Sequence, residues 1–161
     1  AKKIFSETLN AVQNGGKYPL DLKMTKYREV EAATEPNTLK MINSPNFGLI
    51  YEPANLALCG EPYNIEALKP FAPHIFNVYL QNHVPDPNGS LPMTTWVQGV
   101  VKSTLRPLDE TGGINFQDVF DGLKAIQYSD YVTLHHAFGD DMPPNEAAKR
   151  SADFLKSFIT S

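Results

Sequence analysis

Lys23, Glu52, Tyr79 and His135 are the residues of this sequence whose types and positions could do chemistry together. A carboxylate can take a proton and an ammonium can stabilise developing negative charge. A phenol and an imidazole can hold or protonate oxygens. Together these group types suit acid–base chemistry on a small polar molecule. Each residue alone has a plainer explanation: Tyr79 as a core tyrosine with a wet tip, Lys23 as a lysine that snorkels to the surface. Their conjunction is what carries the expectation. A buried polar group costs free energy unless it finds a partner, so four on one face imply a shared polar site. Gln81 and Arg106 are candidate substrate ligands, Arg106 as a clamp for phosphate or carboxylate, against the plainer reading of a solvated loop arginine. Gly112-Gly113 could turn backbone amides toward a phosphate, or could simply mark a turn into a helix.

These residues are placed by their strands. Side chains alternate faces along a strand. The segment 18–24 gives Leu20, Leu22 and Met24 to one face, with Asp21 and Lys23 on the other. The segment 47–52 sets Phe47, Leu49 and Tyr51 against Gly48, Ile50 and Glu52, and the segment 75–81 sets Phe76, Val78 and Leu80 against Asn77, Tyr79 and Gln81. The last strand, 131–136, sets Val132 and Leu134 against Tyr131, Thr133 and His135. One face is greasy and belongs under helices. The other turns polar toward the C-terminal end of each strand. An open doubly wound sheet is covered on both faces and reads apolar on both. A barrel can be polar inside its C-terminal rim, where active sites sit.

Helical periodicity over 1–13, 35–44, 64–71, 116–127 and 145–158 separates these strands, so the order is α-βα-βα-βα-βα. Strict alternation predicts a parallel sheet with crossover helices, in a single domain over 1–161. No hairpin signal joins neighbouring strands. Residues 82–115 stand apart. Pro85, Pro87, Asn88-Gly89, Pro92 and Pro107 break any periodicity, and the stretch is expected to be a long loop without elements of its own. Trp96, Val97, Val100 and Val101 give it something to pack with. It reads as a lid over the site or as a plain surface excursion.

The bulk numbers exclude some classes. A length of 161 residues leaves room for one core and is too short to close an eight-unit barrel. Net charge is −4 and the 14 basic residues are scattered, which argues against nucleic acid. No apolar run reaches membrane-spanning length and no signal peptide is visible, so the expected compartment is the cytoplasm. The single cysteine, Cys59, agrees with a reducing environment. The chain runs straight from Ala1 into a helical pattern, and its natural N-terminus is expected to be missing.

The strings Phe47-Gly-Leu-Ile-Tyr-Glu-Pro-Ala-Asn55, Ile75-Phe-Asn-Val-Tyr-Leu-Gln-Asn82, Gly112-Gly-Ile-Asn-Phe116 and Asp130-Tyr-Val-Thr-Leu-His135 come in a familiar order and spacing. Together they resemble the C-terminal half of the sugar phosphate isomerase/epimerase superfamily, the xylose isomerase-like TIM barrels that also include endonuclease IV. The resemblance implies an α/β half-barrel of about four C-terminal βα units. It implies a divalent metal (manganese, magnesium or zinc) held at four strand ends by Glu, Asp, His and Glu. By position those roles fall on Lys23, Glu52, Tyr79 and His135, and only Glu52 keeps a carboxylate. Asn55 matches a polar position of the family near the site. A lysine puts positive charge where the metal would sit, so its ammonium could replace part of the metal's charge. A relocated site could draw on Glu52, His135, His136 or Asp86.

The resemblance therefore implies an isomerase or epimerase acting on a sugar or sugar phosphate, with most family ligands replaced. The alternative is a ligand-binding or structural member that has lost the metal site. A DNA-repair nuclease is disfavoured by the acidic balance and the altered ligands. Four parallel units leave sheet edges unpaired, so a missing N-terminal half or a second copy is expected to close the barrel.

Overall fold

A computed structural model describes residue 39 and residues 43–95, 98–135 and 142–159. Contacts group the chain into two compact units, Ala1–Leu49 and Ile50–Ser161. The elements expected at 1–13 and 18–24, and most of that at 35–44, lie outside the described residues, as do Lys23, Trp96, Val97 and His136. In the first unit, Asn43 donates its amide to the Leu39 carbonyl at 2.8 Å with a positive φ of 41°, a helix-ending geometry that asparagine tolerates.

The strand β1 (Leu49–Tyr51) leads directly into helix α1 (Pro53–Leu58), a turn of helix absent from the sequence reading. Helix α2 (Ile65–Leu68) runs on into a 3-10 segment, Lys69–His74, and then β2 (Ile75–Leu80). After the excursion come α3 (Phe116–Ala125), a strand at Val132–Leu134, and a last helix at Pro144–Ile159.

The excursion corrects the expectation of a structureless loop. It contains β3 (Asn82–Pro85), β4 (Leu91–Thr95) and β5 (Gly99–Arg106), which form an antiparallel sheet in the order β3-β5-β4. The pairing of Thr95 with Gly99 closes a β4–β5 hairpin, where the sequence showed none. The reason is visible in the prolines. Pro85 and Pro92 sit on the two outer strands, where a missing N–H need not break the ladder. With these strands counted, Val132–Leu134 is β6 and Pro144–Ile159 is α4.

The second sheet has the order β1-β2-β6. β2 and β6 run parallel, with Val78 opposite Val132 and Leu80 opposite Leu134. The expected apolar face holds for the second half of β2, while Phe76, expected on it, is 44% exposed. Val78 and Leu80 are fully buried, and Val132 and Leu134 pack on the same apolar cluster. α3 supplies Phe116, Val119, Phe120 and Leu123 to it. α4 closes over α3 through aromatic rings: Phe116 meets Phe154 edge-on at 5.7 Å, and Phe120 stacks on Phe158 at 4.8 Å. Ion pairs from Arg150 to Asp109 (2.9 Å) and Glu110 (3.4 Å) tie α4 to the end of the excursion. This is an α/β half-barrel whose parallel sheet carries its helices on the apolar face.

Candidate functional site

Glu52 is the last extended residue before α1, with φ −130° and ψ 92°. Pro53 takes the first helical position and has no N–H to be capped. The Glu52 side chain makes no capping bond and is free to point elsewhere. It is 1% exposed. A carboxylate this deeply buried must be met by donors, and among the described residues three side chains meet it. Asn55, one turn along α1, donates Nδ2–H to Oε2 at 2.7 Å. Gln81, just past β2, donates Nε2–H to Oε1. His135, just past β6, brings Nδ1 to the same Oε1 at 3.0 Å.

Three successive strand ends of the parallel sheet thus converge on one carboxylate. The C-terminal rim is where barrel sites are built. Of the set implied by position, His135 meets Glu52 directly, Tyr79 does not bond it, and Lys23 lies outside the described residues. Gln81 reaches Glu52 from β2. Tyr79, two residues earlier on the same face, packs its ring on His135 instead, with centroids 5.0 Å apart and planes tilted by 50°. The backbone N–H of His135 donates to the Leu80 carbonyl at 3.0 Å, so the histidine is fixed at both ends. Deeper on this face Thr133 bonds the Asn77 amide oxygen at 3.1 Å.

Other candidates lie apart. Arg106 ends β5 and pairs with Glu110 at 3.2 Å. Asp86 sits in the β3–β4 turn, taking bonds from the Asn88 N–H (2.9 Å) and the Thr104 hydroxyl (2.8 Å), which hold its carboxyl below the usual range. Gly112 has φ +100°, and any side chain on Gly113 would strike the Asn82 amide and the His83 carbonyl. The glycine pair is therefore a tight turn packed on Asn82 and not an open cradle for phosphate. Asn115 then caps α3, accepting from the Gln117 and Asp118 amides at 3.1 and 3.4 Å.

The sequence does not single out His83, which falls in the stretch expected to be a loop. It lies on β3, with Nδ1 at 2.8 Å from the Ser103 hydroxyl. Burial first, and the charge of His135 second, hold its imidazole below the ordinary value. The usable signal was its place two residues beyond Gln81, which carries it past the same strand end.

The described donors around Glu52 do not fit a divalent metal. A carboxylate only accepts, so the amides of Asn55 and Gln81 turn their N–H groups, not their oxygens, toward Glu52. Both carboxylate oxygens are engaged. Among the described residues no group of three or more His, Cys, Asp or Glu side chains could hold an ion. Hard cations need several oxygen ligands or a mixed nitrogen and oxygen set.

The family description "Xylose isomerase-like TIM barrel" matches residues 34–158. The chain belongs to this family. Among solved structures, this xylose isomerase-like chain is similar to a xylose isomerase domain protein from Planctomyces limnophilus. The TM-score is 0.62 and the identity 18%, covering 99% of this chain and 52% of that one. It is also similar to a xylose isomerase-like TIM barrel protein from Mycobacterium smegmatis, solved in complex with magnesium. There the TM-score is 0.50 and the identity 17%, over 80% of this chain and 40% of that one. The xylose isomerase-like chain thus spans about half the length of these structures. No curated protein matches it.

Proposed function

We propose that this chain forms the catalytic half of a sugar or sugar-phosphate isomerase or epimerase, working by proton transfer beside a carbonyl. The observation that supports it is Glu52, a fully buried carboxylate at the rim, joined to an exposed imidazole. A buried charge with a solvent-facing partner is costly to maintain and suits acid–base work. Asn55, Gln81 and Tyr79 are the described polar groups around it that could read sugar hydroxyls. Lys23, outside the described residues, keeps its proposed role as an electrostatic stabiliser, and Arg106 its role as a more distant anion clamp. A missing N-terminal half or a second copy would complete the barrel, which a stable, active monomer of this chain alone would refute.

The test is a thermal-shift screen of the full chain with aldoses, ketoses and their phosphates, run beside elemental analysis for manganese, magnesium and zinc. A ligand at one hundred times its Kd stabilises by about 2.7 kcal/mol. For a domain of this size that is a rise of several degrees. Among the described residues the amides beside Glu52 turn N–H groups rather than oxygens toward it, which supports one second reading, a binding member of the family without catalysis. It would show as sugar binding with no deuterium incorporated from heavy water.

A further inference from the structure

Resting on that reading, the geometry points to His135, through Nε2, as the proton carrier of this site, with Glu52 as a positioning residue behind it. The usual assumption for a lone rim carboxylate would be the reverse, with Glu52 as base. Three observations decide between them. Glu52 is 1% exposed, whereas the His135 side chain is 56% exposed. Both oxygens of Glu52 already accept hydrogen bonds, from Asn55 on one side and from Gln81 and His135 on the other. The His135 ring is held by the Tyr79 ring and its backbone by Leu80, so it presents one orientation.

The tautomer follows from the contact. A carboxylate cannot donate, so the proton of the 3.0 Å bond belongs to Nδ1. Neutral His135 then carries its lone pair on Nε2, at the far side of the ring from Glu52. The step balances without a metal. The Nε2 lone pair takes a proton from the carbon beside the carbonyl. The C–H electron pair becomes the C=C bond of an enediol(ate), and the carbonyl pair moves to its oxygen. The imidazolium then gives the proton to the neighbouring carbon, the C=C pair forming the new C–H bond, and the imidazole returns to neutral. The hydroxyl on the first carbon becomes the new carbonyl, and its proton passes to the first oxygen. Among the described residues one carrier on one face matches aldose–ketose isomerisation, where the proton leaves and returns on the same side. His83 is a poor second carrier, since it is held to Ser103 and sits partly buried.

The test has two arms on the full chain. The first records long-range proton–nitrogen NMR spectra of the histidine rings above the ordinary imidazole pKa of about 6.5. His135 should be protonated at Nδ1, and in Glu52→Gln the share of that tautomer should fall. A wild-type Nε2–H tautomer overturns the inference whatever the sugars do, and needs no variant to fold. The second arm follows carbon-bound deuterium entering fructose 6-phosphate, xylulose and ribulose from heavy water. His135→Ala should slow it roughly 10²–10⁴-fold, with partial rescue by added imidazole. Glu52→Gln should lower kcat more than it raises KM. Exchange that survives His135→Ala overturns the carrier while keeping the isomerase reading. An Nδ1–H tautomer with no exchange into any probe overturns that reading and the carrier role with it.

Discussion

The two sheets of this half-barrel are held together in different ways. The parallel sheet is fastened from one side by apolar packing. Val78 and Leu80 are sealed under α3, and the opposite face is left to polar residues and the site. The antiparallel sheet has little apolar cover: Val100 is 65% exposed and Leu91 40%. What holds it is polar. Asn82 is fully buried and donates to the Pro107 and Glu110 carbonyls at 2.9 and 2.8 Å, while its oxygen accepts from the Ile114 N–H at 3.1 Å. Ser103 is buried under Gly89 and beside His83, and Thr95 ties its own hairpin by bonds to Gly99 and Gln98. Packing makes a sheet on which a site can rest. Side-chain hydrogen bonds can make a sheet where hydropathy offers nothing.

Leu80→Ala should break the first arrangement at a cost of about 3 kcal/mol, within the range for a sealed leucine. The loss should appear in urea unfolding and accelerate amide exchange across the whole unit. Asn82→Ala should cost about 2 kcal/mol, because it leaves buried backbone groups unpaired. Its exchange signature should be local, confined to 82–114; equal effects throughout would show that the two sheets do not differ as described.

The pH dependence separates them again. Burial pushes the Tyr51 phenol on β1 well up, and its hydroxyl donates to the Tyr63 carbonyl at 2.6 Å. The unfolded chain loses that proton first, so the stabilisation is complete below the ordinary phenol value of about 10 and declines above it. Tyr51→Phe should flatten this alkaline limb. His83 on β3 is shifted the other way, by burial and then by His135. The unfolded chain gains a proton first, so its contribution is present above about pH 6.5 and declines as pH falls. His83→Gln should flatten the acid limb and leave the alkaline one intact. The smallest effect belongs to Thr104→Val. It removes one donor from the exposed Asp86 carboxylate, and should raise that carboxyl's NMR-measured pKa with little change in the unfolding midpoint.

The same contrast explains what the sequence could tell. β2 and β6 were legible because alternation of apolar and polar residues is the physical demand of a sheet covered on one face. α3 and α4 were legible from their spaced phenylalanines. The antiparallel sheet was not, because its staples are Asn82, Thr95 and Ser103, and its prolines lie on outer strands where they do no harm. α1 was missed as a six-residue helix, although Pro53 at its first position was a usable sign. At the site, Glu52 stood out because an acid ends an otherwise apolar strand. The particular pairing of Gln81 and His135 with it could not be read, since it depends on how far each chain continues past its strand before turning.

Asn82 and Ile114 have one further consequence. The chain leaves β2 at Asn82 and regains the approach to α3 at Ile114, and a single side chain clasps the two places together. The segment between them hangs from this clasp like a pendant, steadied near its end by Arg150 on Asp109 and Glu110 and by Leu108 in the core. The β2–α3–β6 crossover does not need that pendant to be any given length or shape. Change between Asn82 and Ile114 is thus less constrained than change in the crossover beneath, whose strands and helix share one apolar core.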